Sequence, residues 1–202
     1  MRIWTATVFA LLSAACGQAP EEGLQEGDVI FQRSQSSQSE AIRLATGSEW
    51  SHCGLMARGE GGRWYVFEAV QPVKLTPLDE WVARGRGGKY VVRRLRDDSL
   101  LTPARLQKMR EIATGWTGRS YDMAFEWSDE RLYCSELVWK IYRRAVGIEV
   151  GQLQTLGDLD LTAPAVKTKL RERYGAQIPY DQKVITPAAI FDSEALVTVK
   201  TK

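Results

Sequence analysis

The order of secondary-structure signals along the chain constrains the fold more than any other feature. Apolar or alternating segments typical of strands are concentrated in the first half, at 27–31, 51–57, 64–70 and 90–96. Amphipathic segments typical of longer helices follow in the second half, within 102–118, 132–146 and 162–175. Because strands and helices are partly segregated rather than strictly alternating, we expect an α+β fold with a mostly antiparallel sheet, not a doubly wound α/β fold.

Helix-start signals refine this outline. Residues 39–45 predict a short helix within the strand-rich half. Thr76-Pro77 and Thr102-Pro103 each predict a helix start, with threonine as the N-cap and proline at the first helical position. Residues 195–200 predict a final strand. Nothing between these elements has the composition of an interdomain linker, so we expect a single domain over residues 27–202.

The first residues predict export. Residues 3–14 form an apolar run that fits a signal-peptide core and is too short to span a bilayer. The sequence Leu12-Ser13-Ala14-Ala15-Cys16 resembles a bacterial lipobox, in which the cysteine becomes the lipidated first residue. We therefore expect a signal peptide at 1–15 and a lipidated Cys16, followed by a flexible tether over 16–26. Cleavage with release as a soluble periplasmic protein is the alternative.

Charge and residue counts exclude several classes of function. With 27 Lys and Arg against 25 Asp and Glu, the formal net charge is +2, which gives no support to nucleic-acid binding. His52 is the only histidine, so the chain cannot build a multi-histidine metal site. The three cysteines, Cys16, Cys53 and Cys134, are too few for a disulfide-stapled scaffold.

His52 and Glu68 form the first candidate pair. If 51–57 and 64–70 make a hairpin whose turn is centred on Glu60, His52 and Glu68 are direct cross-strand partners with Cβ atoms ~5 Å apart. A carboxylate in that position holds the imidazole in one tautomer and stabilises its charged form. The pairing depends on register, because a shift of one residue moves Glu68 to the other face of the sheet.

Cys134 is the candidate nucleophile, because it is placed at the start of a predicted helix, in Tyr133-Cys134-Ser135-Glu136. The unpaired N–H groups and the dipole of a helix N-terminus lower the pKa of a thiol, and a nearby imidazolium lowers it further. The same N–H groups stabilise an oxyanion formed next to the sulfur.

The residues alone leave other interpretations open. His52 and Cys134 are also compatible with purely structural roles in the core. Cys53 is a rival nucleophile, but alternation along a strand directs its thiol away from the neighbouring imidazole. A metal site of His52, Cys53 and Cys134 is disfavoured, because that alternation separates the ligands and a fourth is missing.

The ordered set of Ser51-His52-Cys53-Gly54, Phe67-Glu68-Ala69 and Tyr133-Cys134-Ser135-Glu136 resembles the YiiX/YebB-like cysteine hydrolases of the NlpC-type, papain-like superfamily. Further similar segments, Gly27–Phe31 and Val184–Pro187, extend the resemblance over most of the chain beyond the predicted signal peptide. The family is circularly permuted, so the histidine precedes the cysteine along the chain. Function depends on the spatial arrangement and not on this order.

The resemblance implies a circularly permuted papain-like fold, with an antiparallel sheet or open barrel packed against helices and the nucleophile at a helix N-terminus. It implies Cys134 as the nucleophile, His52 as the general base and Glu68 as the residue that orients His52. It also implies that Tyr121 assists an oxyanion or binds substrate. No metal or organic cofactor is required for this chemistry.

We therefore expect a cysteine hydrolase of the bacterial cell envelope that cleaves an amide bond in a cell-wall peptide, or a similar substrate, through an acyl-enzyme. One alternative is a thiol acyltransferase or a lipid amidase or esterase that uses the same triad on a lipid-linked amide or ester. Another is a non-catalytic binding lipoprotein of the envelope. We expect contact with the membrane through the N-terminal lipid anchor, and no nucleic-acid partner.

Overall fold

The structure, a computed structural model, describes residues 22–202; the predicted signal peptide and Cys16 lie outside this range. The strands are β1 (Val29–Ser34), β2 (His52–Arg58), β3 (Trp64–Glu68), β4 (Lys74–Pro77), β5 (Gly85–Leu95), β6 (Ser120–Tyr121), β7 (Arg131–Leu132), β8 (Gln154–Thr155), β9 (Lys183–Val184) and β10 (Leu196–Thr201). The helices are α1 (Ser37–Thr46), α2 (Leu78–Ala83), α3 (Pro103–Trp116), α4 (Cys134–Ala145), α5 (Pro164–Tyr174) and α6 (Pro187–Phe191). Within the described range, no helix is both long and apolar enough to cross a bilayer.

The main sheet has six antiparallel strands in the order β10-β5-β1-β2-β3-β4. Successive side chains along each strand point to opposite faces, so the sheet presents two apolar surfaces that must be covered. Short pairs form beside it, β6 with β7 and β8 with β9. The predicted α+β class with a mostly antiparallel sheet is confirmed.

Helices cover the two faces of the sheet unequally. On one face, Trp81 of the short helix α2 packs against Ile30 and Val66. On the other face, α3 and α4 form the larger core, in which Leu137 of α4 packs with Phe31 of β1. The functional residues of β2 are therefore close to both cores, depending on the face to which each side chain points.

One predicted helix start is confirmed and the other is wrong. The Thr102 side chain caps α3 by accepting a hydrogen bond from the N–H of Arg105, with Pro103 at the first helical position. Thr76, in contrast, lies in edge strand β4 opposite Val66, and α2 begins two residues later. An edge strand tolerates Pro77 because its missing N–H faces away from the sheet.

The register of the β2–β3 hairpin differs by two residues from the predicted one. Leu55 pairs with Phe67, and Arg58 pairs with Trp64. The turn is centred one residue later than expected, where Gly61 has the positive φ of 66° that its tight geometry requires. His52 and Glu68 are consequently not direct partners, but a shift of two residues leaves both on the same face.

The packed part of the chain begins before residue 27. Leu24 is buried in the core beneath α2, and Glu26 accepts a hydrogen bond from the N–H of Arg58 and pairs with Arg110 of α3. The last residues of the segment 16–26, which we expected to act as a tether, are thus held against the folded chain.

Candidate active site

His52 and Glu68 form a buried hydrogen-bonded pair. Nε2 of His52 lies 2.6 Å from Oε2 of Glu68, and Glu68 is fully buried. Since Nε2 binds the carboxylate, Nδ1 is the ring nitrogen left for a reacting group. The ring also stacks on Trp81 of α2, with 6.0 Å between ring centroids, which restricts its rotation.

The other carboxylate oxygen of Glu68 is held by two further donors. Oγ1 of Thr76 donates to Oε1 over 2.6 Å, and the guanidinium of Arg84 donates to the same oxygen. Burial raises the pKa of Glu68, but its bonds to His52, Thr76 and Arg84 outweigh this effect and lower the pKa to about 2. Glu68 is therefore an ionised carboxylate over the physiological pH range.

Cys134 is the first residue of α4, as the sequence predicts for a nucleophile at a helix N-terminus. The flanking residues are fixed by the strand-like segment around Ile185: Ser135 donates a hydrogen bond to the carbonyl of Ile185 (2.7 Å), and the N–H of Ile185 donates to the hydroxyl of Tyr133 (3.0 Å). Cys134 is 2% exposed, so these two hydrogen bonds fix the position of a buried sulfur.

The electrostatics of this region favour a thiolate at Cys134 and an imidazolium at His52. The thiol of Cys53 donates to the Cys134 sulfur, and this bond, together with the hydrogen bond and charge of His52, lowers the pKa of Cys134 well below its usual range. Burial lowers the pKa of His52, but its hydrogen bonds to Cys134 and Glu68 raise it to about 10. Between these two pKa values the stable form is an ion pair.

The environment of Cys53 does not favour the thiolate that a nucleophile requires. Its side chain is fully buried in the core beneath α4, on the face of β2 opposite to His52. Burial, together with its hydrogen bond to Cys134, raises the pKa of the Cys53 thiol well above its usual range. Cys53 is therefore the protonated partner that supports Cys134 and is not the activated thiol of the pair.

Tyr121 lies beside the sulfur and is held by α1. Its hydroxyl accepts a hydrogen bond from the side-chain amide of Gln38 (2.9 Å), and its N–H donates to the side chain of Gln71 (2.7 Å). Burial and the nearby charge of Cys134 raise the pKa of Tyr121 above its usual range. The phenol therefore remains an O–H donor beside the nucleophile.

Glu136 does not act on the sulfur. Its carboxylate accepts a hydrogen bond from the N–H of Tyr133 and pairs with Lys140 at 2.7 Å, one turn further along α4. Burial raises the pKa of Glu136 to about 7, although Lys140 opposes the change. The carboxylate thus supports the start of the helix that carries Cys134.

An apolar cavity reaches Cys134 from one side. It has a volume of about 70 Å³ and lies between α1 and α5, and aliphatic side chains such as Ile42, Leu156 and Leu170 form most of its wall. Tyr121 and Cys134 both form part of its wall.

A polar groove reaches His52 from the other side. It is open to solvent, has a volume of about 580 Å³, and is lined by polar side chains that include Ser51 and Arg84. Gln38 and Tyr121 line both spaces, so their hydrogen bond forms part of the boundary between the groove and the apolar cavity.

Sequence reasoning missed several residues of this site. Thr76 was expected to cap a helix, and the contacts of Arg84, Gln38 and Ile185 had no local signal. Their roles depend on long-range packing, since each binds a group at least eight positions away. Only Thr76 could have been found from the sequence. A carboxylate buried at Glu68 needs hydrogen-bond donors, and a threonine in the next strand can supply one.

Comparison with known proteins agrees with this geometry. Residues 23–200 match the family described as permuted papain-like amidase enzymes, YaeF/YiiX, C92 family. The uncharacterized protein YiiX of Escherichia coli K12 is 50% identical over 175 residues, which cover 87% of this chain and 85% of YiiX. A crystal structure of the metalloprotein YiiX from Escherichia coli O157:H7 matches with a TM-score of 0.83 and 49% identity, covering 88% of this chain and 97% of that one. This chain therefore belongs to the YaeF/YiiX family of permuted papain-like amidases and is an enzyme of the cysteine peptidase or amidase type.

Proposed function

We propose that this enzyme cleaves amide bonds with Cys134 as the nucleophile, His52 as the general acid and base, and Glu68 as the residue that orients His52. One observation carries the proposal: a helix-terminal thiol interacts with an imidazole whose Nε2 lies 2.6 Å from a buried carboxylate. This arrangement supplies nucleophile, proton carrier and orienting group in one place.

The reaction begins when the Cys134 thiolate attacks the carbonyl carbon of the amide and forms a tetrahedral oxyanion. The C–N bond then breaks, and the proton on Nδ1 of His52 passes to the departing amine. A thioester remains on Cys134. Water attacks the thioester while His52 accepts its proton, and the carboxylic acid leaves as the Cys134–acyl bond breaks. Glu68 stabilises the imidazolium at both stages.

Two groups near Cys134 are suited to stabilise the oxyanion. The first N–H groups of α4, the helix that begins at Cys134, have no partner within the helix and can donate to an oxyanion next to the sulfur. The hydroxyl of Tyr121 retains its proton and is held by Gln38. We assign Tyr121 a supporting role as a donor to the oxyanion or to the substrate.

We assign the acyl half of the substrate to the apolar cavity and the amine half to the polar groove. The acyl half stays bonded to Cys134, which lines the apolar cavity, whereas the amine half receives its proton from His52, which lines the polar groove. The aliphatic wall favours an apolar acyl group, and so a lipid amide, over the cell-wall peptide that the sequence first suggested. A cell-wall peptide would place polar groups against Ile42 and Leu170.

The proposed steps involve no metal. The solved Escherichia coli relative is called a metalloprotein. Within residues 22–202 of this chain, however, no group of three or more His, Cys, Asp or Glu side chains is arranged to hold a metal ion. The only imidazole is engaged by Glu68 and Cys134, so the donor set does not fit a metal centre.

We also propose that the enzyme works at the cell envelope, anchored through a lipidated Cys16. The motif around Cys16 and the apolar run before it support this location. An acyl-chain substrate would then be available in the membrane that holds the anchor. Metabolic labelling with a radioactive fatty acid tests the anchor: the wild-type chain should be labelled and Cys16→Ser should not. Labelling of Cys16→Ser would contradict it.

Hydrolysis of matched amides tests the proposed reaction. The purified mature enzyme should release glycinamide from N-dodecanoylglycinamide faster than from N-acetylglycinamide, and Cys134→Ser should lose at least about 10³-fold in kcat. Unchanged hydrolysis by Cys134→Ser would overturn the mechanism. Equal rates for the two acyl groups, or faster release from a cell-wall peptide, would overturn the substrate assignment alone.

A further inference from the structure

One cation in the wall of the apolar cavity has no ionic partner. Arg173, at the end of α5, lines the same cavity as Cys134. Its Nε and Nη2 atoms are buried and make no hydrogen bond within the described part of the chain, residues 22–202. A buried guanidinium usually satisfies its N–H groups with carboxylates, carbonyls or phosphates, so two unused nitrogen atoms require an explanation.

The neighbouring acids do not fill these positions. Glu172 is bound by Lys169 at 2.6 Å. Asp122 accepts a hydrogen bond from the N–H of Ala124 and acts on Arg173 only through longer-range charge. In the described range 22–202, no carboxylate forms an ion pair with the Arg173 guanidinium.

The guanidinium is held in a fixed plane. Its central carbon lies 4.3 Å from the centroid of the Phe125 ring, and that ring packs edge-on against Tyr133, the residue before Cys134. Phe125 has a φ of 54°, an unfavourable backbone conformation for a bulky residue. A strained residue that supports a half-buried cation, in the wall of the cavity that also contains the nucleophile, is typical of a preorganised binding site.

Arg173 also lies close to Tyr121, the tyrosine whose pKa responds to the charge of Cys134. Val166, Leu170 and Arg173 follow one face of α5, and Leu170 and Val166 pack with Ala41 of α1 in an apolar cluster. Arg173 lies beyond them, next to the segment that contains Tyr121 and Phe125. An apolar chain that lies along Val166 and Leu170 therefore leads to the guanidinium.

We propose that Arg173 is a subsite for an acidic group, a carboxylate or a phosphate, on the amide substrate, close to the bond that is cleaved. The proposal rests on the proposed function and deepens it: the substrate is an amide with an apolar acyl chain and a negatively charged group near its carbonyl. The N–H groups on Nε and Nη2 form the fork that binds two oxygen atoms of such a group. Specificity arises because a neutral substrate leaves this buried fork unpaired.

Binding to an inactive enzyme tests this subsite independently of catalysis. In the Cys134→Ala variant, 2-carbamoyldodecanoic acid, which carries a carboxylate on the acyl half next to the amide carbonyl, should bind at least about tenfold more tightly than its neutral analogue 2-decylmalonamide, as measured by isothermal titration calorimetry. A second pair, the phosphate ester of 2-hydroxydodecanamide and 2-hydroxydodecanamide itself, shows whether phosphate or carboxylate is the preferred acid.

Adding Arg173→Met should abolish the preference for the acids, while Arg171→Met, at an exposed position of the same helix, should preserve it. Arg173→Lys should retain part of it, because it keeps the charge and loses the fork. Equal affinity for acid and neutral ligands, absence of binding by all four, or an unchanged preference in Arg173→Met with a normal melting temperature would each overturn the subsite. None of these results bears on whether Cys134 is the nucleophile.

Discussion

Nε2 of His52 lies 2.6 Å from Oε2 of Glu68, although the two residues are diagonal neighbours on β2 and β3. Continuing the observed register by one residue places Gly54 opposite Glu68. A Cβ on Gly54 would lie 2.8 Å from the carbonyl oxygen of Phe67 and 3.4 Å from Cβ of Glu68. Glycine thus lets the strands approach closely and leaves the space through which the carboxylate reaches the imidazole.

Glu68→Gln should lower kcat by about 10²-fold, because the imidazolium loses its counter-charge. The carboxylate is one of the two groups that raise the pKa of His52 to about 10, so the alkaline limb of the pH–kcat profile should move to lower pH. Stopped assays from pH 5 to 11 measure both effects. An alkaline limb identical to that of the wild type would remove Glu68 from the mechanism.

The same substitution has a consequence for stability. The pKa of Glu68 is about 2 in the folded chain, below its ordinary value of 4.5, so the ionised carboxylate stabilises the fold above pH ~4.5. This contribution is lost as the pH falls from ~4.5 towards 2. Urea unfolding at pH 3 and pH 7 should show a smaller loss of free energy on acidification for Glu68→Gln than for the wild type. An equal loss would contradict the assigned pKa.

Arg84→Met tests the hydrogen bond that the Arg84 guanidinium donates to the Glu68 carboxylate. Glu68 keeps its bonds to His52 and Thr76 in this variant, and the Arg84 side chain is 43% exposed, so the expected fall in kcat is only about 3-fold to 10-fold. Arg86→Met, at an exposed position two residues away, is the matched control and should retain wild-type kcat. Equal kcat for both variants would show that Arg84 has no positioning role.

Cys53→Ala should raise the pKa of the Cys134 thiol, because the thiolate loses the S–H that donates to it. The acid limb of the pH–kcat profile should therefore move to higher pH, while kcat at pH 9 stays within about twofold of the wild type. Loss of activity at every pH, in a variant with an unchanged circular dichroism spectrum, would instead indicate that Cys53 takes part in the chemistry.

Arg94→Met should destabilise the fold by about 3 kcal/mol at pH 7, because it leaves the fully buried carboxylate of Asp28 without its bidentate partner at 2.8 and 2.9 Å. Burial already raises the pKa of Asp28, and the variant should raise it further, so the destabilisation should shrink as the pH falls to 4. The exposed pair of Arg63 and Asp79 is the control: Arg63→Met should lower the free energy of unfolding far less than Arg94→Met does. Equal losses in urea unfolding would contradict this assignment.

The sequence predicts the parts of the site that depend on local physics. The helical pattern of residues 132–146 places Cys134 near the beginning of α4, and the period of two along a strand puts His52 and Glu68 on one face. The predicted register was wrong by two residues, but a shift of two residues leaves each side chain on the same face of the sheet. The prediction that His52 and Glu68 share a face therefore holds although the turn centre was wrong. Both the separation of the chain into strands and helices and the family resemblance pointed to the observed α+β class.

The remaining parts depend on contacts between distant segments. Thr76 was assigned to a helix because Thr-Pro is a common start signal, but pairing with β3 outweighs that local preference. Arg173 carried no signal at all, since an arginine near the end of a helix normally serves the helix dipole at the surface. The binding role that we propose for Arg173 follows only from its position in the wall of the cavity between α1 and α5.

The central claim, a thiolate–imidazolium pair at Cys134 and His52, is tested most directly by alkylation of the folded protein with iodoacetamide across pH, with the label located by mass spectrometry. Cys134 should react selectively with an apparent pKa well below the ~8.5 of a free thiol, and His52→Ala should raise that value toward the free one. An inert Cys134, or one that titrates as an ordinary thiol both with and without His52, would contradict the account.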